Sequence, residues 1–92
     1  MPKYIAIHPV DPAASMDSVG PVAKKAKAGN SIDAYWVKSW CKLNDKGEVM
    51  AIYCEWDGKD EQSVRDALTQ SIPELPFSEV SPMAEIHGED FR

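Results

Sequence analysis

Ala34-Tyr35-Trp36-Val37-Lys38-Ser39-Trp40-Cys41-Lys42-Leu43 and Glu48-Val49-Met50-Ala51-Ile52-Tyr53-Cys54-Glu55-Trp56 are two runs rich in β-branched and aromatic residues. Between them lies Asn44-Asp45-Lys46-Gly47, which is turn chemistry, so the pair reads as a β-hairpin. If Asn44 pairs with Gly47, Val37, Cys41 and Leu43 share a face with Cys54, Ile52 and Met50. That face is apolar and suits a core. The other face carries Trp36, Lys38, Trp40 and Tyr53.

Working outward, Lys3 to His8 is an alternating strand that Pro9 and Pro12 end. It places Ile5 and Ile7 on one face and Tyr4, Ala6 and His8 on the other. Met16, Val19, Ala23 and Ala26 then recur at helical spacing, with Lys24, Lys25 and Lys27 near the end and Gly29-Asn30 as a stop. Gly20-Pro21 allows this helix to begin there, since proline is tolerated in a first turn. After the hairpin, Asp60-Glu61 opens a second helix whose buried stripe is Val64, Ala67 and Leu68, and Pro73 and Pro76 close it. Phe77 to Ile86 is the last strand, and Pro82 within it predicts an edge position. Gly88 to Arg92 reads as a loose polar tail.

The order β-α-β-β-α-β predicts one α+β domain over residues 1–92. Its expected form is a ferredoxin-like sandwich, a four-stranded antiparallel sheet with two helices on one face. A chain of 92 residues with 43% hydrophobic and 27% charged content can support one modest core. No apolar run reaches the ~18 residues of a membrane span, and Met1 to Val10 is too short for a signal peptide. The net charge of −5 argues against nucleic acid or an anionic membrane as partner. Two cysteines make no disulfide scaffold, which points to a reducing cytoplasm.

On this reading Ile5, Ile7, Val80, Ala84 and Ile86 join the hairpin's apolar set under the helices. Tyr4, His8, Trp36, Trp40, Tyr53 and Met83 stand on the open face with Lys38, Ser81, Glu85 and His87. So many rings on an uncovered face call for a lid. A homodimer packed sheet to sheet supplies one, and a gap between the two faces would suit a small ligand.

Cys41 and Cys54 are expected ~13 Å apart along the hairpin, too far for a disulfide, and read as small core side chains. His8 and His87 lie at the ends of antiparallel strands that point apart. A divalent metal such as nickel would therefore need His87 with Glu85, or His8 from a second subunit. No nucleophile elbow, phosphate-binding loop or calcium loop is present, and Val49 to Tyr53 lacks the basic-aromatic pattern of an RNA-recognition sheet. A cofactor-independent oxygenase or isomerase, with His8 as general base at a pocket wall, is the enzymatic alternative.

Met1-Pro2-Lys3-Tyr4-Ile5, Trp36-Val37-Lys38-Ser39-Trp40, Asp60-Glu61-Gln62-Ser63-Val64-Arg65-Asp66, and Ile72-Pro73 followed by Ser78-Glu79-Val80 occur in this order along most of the chain. Together they resemble a family of small proteins of unknown function, some described as nickel-binding, within the dimeric α/β-barrel superfamily. The resemblance implies a ferredoxin-like protomer that dimerises through its sheet. That family commonly carries a histidine after the Arg–acid pair of the second helix. Here Ala67 follows Arg65-Asp66, and the hairpin around Lys46-Gly47-Glu48 looks longer, so the fold and dimer carry over and the metal chemistry does not.

Overall fold

Asn44 nucleates the hairpin through its side chain. Its Oδ1 accepts from the backbone N–H of Lys46 and of Glu48, each at 2.9 Å, and Gly47 takes φ +76°, a conformation glycine adopts without strain. The Asn44–Gly47 pairing holds at one bond, Gly47 N–H donating to Asn44 O at 3.0 Å, but Asn44 N–H donates to Glu48 O at 2.9 Å, so Gly47 is an extra, bulged residue and the ladder resumes one residue later. The computed structural model describes residues 1–92. The strands flanking the turn are β2 (Ala34–Leu43) and β3 (Val49–Gly58); with β1 (Lys3–Ala14) and β4 (Glu79–Met83) they form one antiparallel sheet in the order β2-β3-β1-β4. Helices α1 (Val19–Ala28) and α2 (Glu61–Ser71) complete the βαββαβ order of a ferredoxin-like α+β fold. Neither helix is long and apolar enough to cross a membrane.

The helix boundaries follow local chemistry. Asp60 caps α2 by accepting the Ser63 N–H at 2.8 Å, and Val64 and Leu68 bury its inner stripe. A Cβ on Gly58 would stand 2.5 Å from Val64 Cγ2, so glycine is what lets α2 approach β3 so closely. Gly20 and Pro21 fall in the first turn of α1, where a missing N–H costs no hydrogen bond, and a single 3-10 turn at Met16–Ser18 precedes it. The tail forms another 3-10 turn at Gly88–Phe91.

Two elements depart from the sequence expectation. β1 runs through Pro9 and Pro12 to Ala14, because its pairing with β4 covers only Lys3–Ile7 and the prolines beyond have no ladder donor to lose on that side. β4 is shorter than Phe77–Ile86, and Ile86 is exposed; as expected for a strand containing Pro82, it lies at the sheet edge.

The face assignment needs a larger correction. Register pairs Tyr4 with Trp56, Ala6 with Cys54 and His8 with Ile52, so Tyr4, Ala6 and His8 lie beneath the helices and are buried. Ile5 and Ile7 take the open face, the reverse of the expected sides. In β2, Trp36 pairs with Trp56 and Lys38 with Glu55, which leaves Val37 as an unpaired bulge residue. That one extra residue turns Trp36 inward while Trp40 stays outward opposite Tyr53. Val37, Leu43 and Met50, expected in the core, are exposed; a second irregularity after Lys42 and the later turn displace the last two.

Candidate functional site

The open face therefore carries a different set from the one expected. Its apolar side chains are Ile5, Ile7 and Tyr53 on the inner strands and Trp40 and Met83 on the edge strands, with Trp40 and Met83 about half exposed at 51% and 48%. Lys38 Nζ sits 4.9 Å above the Trp40 ring, a cation–π contact that screens little of it. Lys3 anchors one end: its Nζ bonds Glu55, lies 2.7 Å from Asp57 Oδ1 and 3.9 Å from Glu85 Oε1. Those carboxylates, Asp57 and Glu55 foremost, push the lysine pKa upward, so it stays charged. A shallow hollow of about 170 Å³ lies between Lys3, Ile5, Trp40 and Met83. Of the six residues expected here, Trp40, Tyr53 and Met83 are brought together, while Tyr4, His8 and Trp36 are on the opposite side.

His8 is fully buried and meets Phe77 edge-on at 6.3 Å between ring centroids. Its Nδ1 donates to Leu75 O at 3.0 Å, because a carbonyl can only accept, and Nε2 is buried with no partner. Burial lowers the pKa from 6.5, outweighing the carbonyls of Leu75 and Pro76, so the ring is neutral. It lines none of the cavities. His87 and Glu85 are exposed beyond β4, 3.1 Å apart, and the fold does not bring His8 to them. No group of three or more His, Cys, Asp or Glu side chains is arranged to hold an ion.

The neutral His8 has a consequence for stability. Its folded pKa is depressed, so below about pH 6.5 the unfolded chain takes up a proton that the folded chain refuses, and stability falls with pH. Thermal unfolding at about pH 7.5 and about pH 5 should give a lower Tm at the acid end, above the range where carboxylates titrate. His8→Phe should flatten that drop. An equally flat parent would contradict a neutral buried ring.

An almost wholly apolar space lies beneath α1. It is a cavity of about 190 Å³ with twelve apolar residues among its thirteen lining residues, bounded by Val22 and Ala26 of α1, Trp36 and Cys41 of β2, and Trp56 and Cys54 of β3. The cause is the sequence of α1: only Val19, Val22, Ala23 and Ala26 point inward, and such short side chains cannot fill the gap above the sheet. One polar chain runs along the wall. Trp36 Nε1–H donates to Ser39 Oγ at 2.8 Å, and Ser39 donates to Cys54 Sγ at 3.0 Å.

Both cysteines are free, with Cys54 paired across from Ser39 rather than Val37. Burial pushes the Cys54 thiol up to about 11, despite the Ser39 hydrogen bond. Iodoacetamide near pH 8 should therefore label partly exposed Cys41 in the folded protein and reach Cys54 only after denaturant is added, as mass spectrometry would read. Two fast labels would contradict a protonated, buried Cys54.

No family model matches the chain, and no curated protein does. A solved structure shares its fold. The crystal structure of SCO4226 from Streptomyces coelicolor A3(2) superposes with a TM-score of 0.74 over 92% of this chain and 99% of that one. Their sequences are 12% identical, which speaks for the architecture alone. The nickel-binding description attached to the motif resemblance thus finds no matching family or curated relative, whereas the ferredoxin-like fold has a solved counterpart.

Proposed function

We propose that this chain is a homodimeric binding protein whose subunits pack open sheet face against open sheet face. The observation that carries the reading is the asymmetry of the sheet: helices cover one face, and the other keeps Ile5, Ile7 and Tyr53 on its inner strands and Trp40 and Met83 on its two edge strands, beside the Lys3–Glu55–Asp57 ion pairs. A face bathed in water usually alternates to polar residues instead. Four strands ~4.8 Å apart and ~7 residues long make a plate of roughly 19 by 23 Å. Two such plates cover on the order of 900 Å² in projection, and more with side-chain relief, near the ~1,200 Å² of the smaller stable interfaces.

Charge favours one arrangement. Lys38 and Lys42 project from edge strand β2, and Glu79 from the opposite edge strand β4. A two-fold axis parallel to the strands lays β2 over β4 of the second copy, so each lysine pair faces Glu79 of the partner subunit. A reducing compartment such as the cytoplasm suits the two free cysteines. Sedimentation velocity at micromolar concentration is the test. A dimer is expected, and a strict monomer at those concentrations would remove the reading.

A further inference from the structure

We infer that the segment after β4, residues 84–92, is a clasp that crosses to the second copy and lays Ile86 and Phe91 against Tyr35 and Val37 of the partner subunit. The inference rests on the face-to-face dimer above and supplies contact area that the bare sheets lack. Within one subunit Ile86 is 83% exposed and Phe91 77%, two large apolar side chains on one short arm. The sheets alone cover on the order of 900 Å² in projection, short of the ~1,200 Å² of the smaller stable interfaces. A phenylalanine buries roughly 150–250 Å², so the two Phe91 rings bring roughly 300–500 Å² and close that gap.

Topology says where the arm goes. Tyr35, Asp57, Lys3 and Met83 form one row across the sheet, from edge strand β2 to edge strand β4. A two-fold axis parallel to the strands keeps rows level, so Met83 of one copy lies over Tyr35 of the partner subunit. The arm starts at the next residue. Stacked sheets stand ~10 Å apart, and seven extended residues from Ala84 to Phe91 reach ~23 Å, more than enough to cross. The 3-10 turn at Gly88–Phe91 folds the end of the arm back along β2. Both residues of the seat are exposed, and Val37 is the bulged one.

Charge fits the same seat. The arm carries Glu85, Glu89 and Asp90 against Arg92 as its one permanent cation. Lys27 Nζ stands 3.9 Å over the Tyr35 ring and donates to its hydroxyl at 2.8 Å, and Lys38 follows Val37 on β2. An acidic arm over a basic flank is the complementary arrangement.

Concentration-dependent sedimentation of four proteins tests the clasp: the parent, Tyr35→Ala, the pair Ile86→Ser with Phe91→Ser, and all three changes together. The arm pair should weaken the dimer at least about tenfold, the size expected when desolvated apolar side chains are truncated, and leave the urea midpoint of the subunit unchanged. Tyr35→Ala should weaken the parent several-fold and the arm variant hardly at all, since the two changes remove one contact. A dimer constant untouched by the arm pair overturns the clasp and leaves residues 84–92 free for another partner, while the dimer itself stands. Losses that simply add overturn the seat on β2. A monomeric parent overturns the clasp and the dimer together.

Discussion

Trp56→Ala is expected to cost about 3–5 kcal/mol of folding stability, the range for emptying a large aromatic from a core. Trp56 has no exposed surface, pairs across the sheet with Tyr4 on one side and Trp36 on the other, and shares the core cluster with Val64 and Leu68. Removal would also enlarge a cavity that is already open beneath α1, and the short side chains of that helix cannot collapse into it. One term opposes the loss. The unpaired indole N–H is a burden in the native state, and its removal returns about 1 kcal/mol. A 92-residue domain holds about 5–14 kcal/mol in all, so the variant should sit near the edge of folding. Trp56→Phe should be markedly milder, since it keeps most of the ring and drops the orphan donor. Urea unfolding of the three proteins reads this directly, and a cost below about 1 kcal/mol for alanine would mean that the Trp56 site is not a packed core.

The element order was legible because each boundary has its own local chemistry: Asn44 to Gly47 for the hairpin, Asp60 for the α2 cap, Pro21 for the start of α1, Pro82 for the edge strand. Which side of the sheet faces the helices was not. β1 is apolar on both parities, with Ile5 and Ile7 on one side and Tyr4, Ala6 and His8 on the other, so alternation alone leaves two answers of equal merit. Only the β1–β3 register, a contact between residues about fifty positions apart, breaks the tie. Trp36 was lost for a separate reason. The bulge at Val37 carries no glycine or proline to mark it, and an unmarked extra residue reverses every side chain before it. The cavity had a readable signal. The inward stripe of α1 is valine and alanine, whereas α2 supplies Leu68, and short side chains over a broad aromatic floor leave space.

Trp40→Ala is expected to weaken self-association by roughly 30-fold, about 2 kcal/mol, while changing the stability of the isolated subunit much less. The contrast with Trp56 follows from the face each occupies. Trp40 is half exposed beside Tyr53 and above the hollow bounded by Lys3, Ile5 and Met83, so within one subunit it buries little and supports nothing. Its worth would be realised only when a second sheet covers it and expels water from that hollow. Rings that an interface desolvates carry most of the binding energy, while exposed charges such as Lys38 and Glu79 carry little and are screened by salt. Raising the salt should accordingly loosen the dimer modestly, whereas Trp40→Ala should do so at every ionic strength. Ile32 offers a control: it is 91% exposed in the segment before β2, outside the sheet face, and Ile32→Ser should leave the dimer constant unchanged. Concentration-dependent sedimentation of parent, Trp40→Ala and Ile32→Ser separates the cases. Equal association of all three would show that the bare sheet face is not where the copies meet.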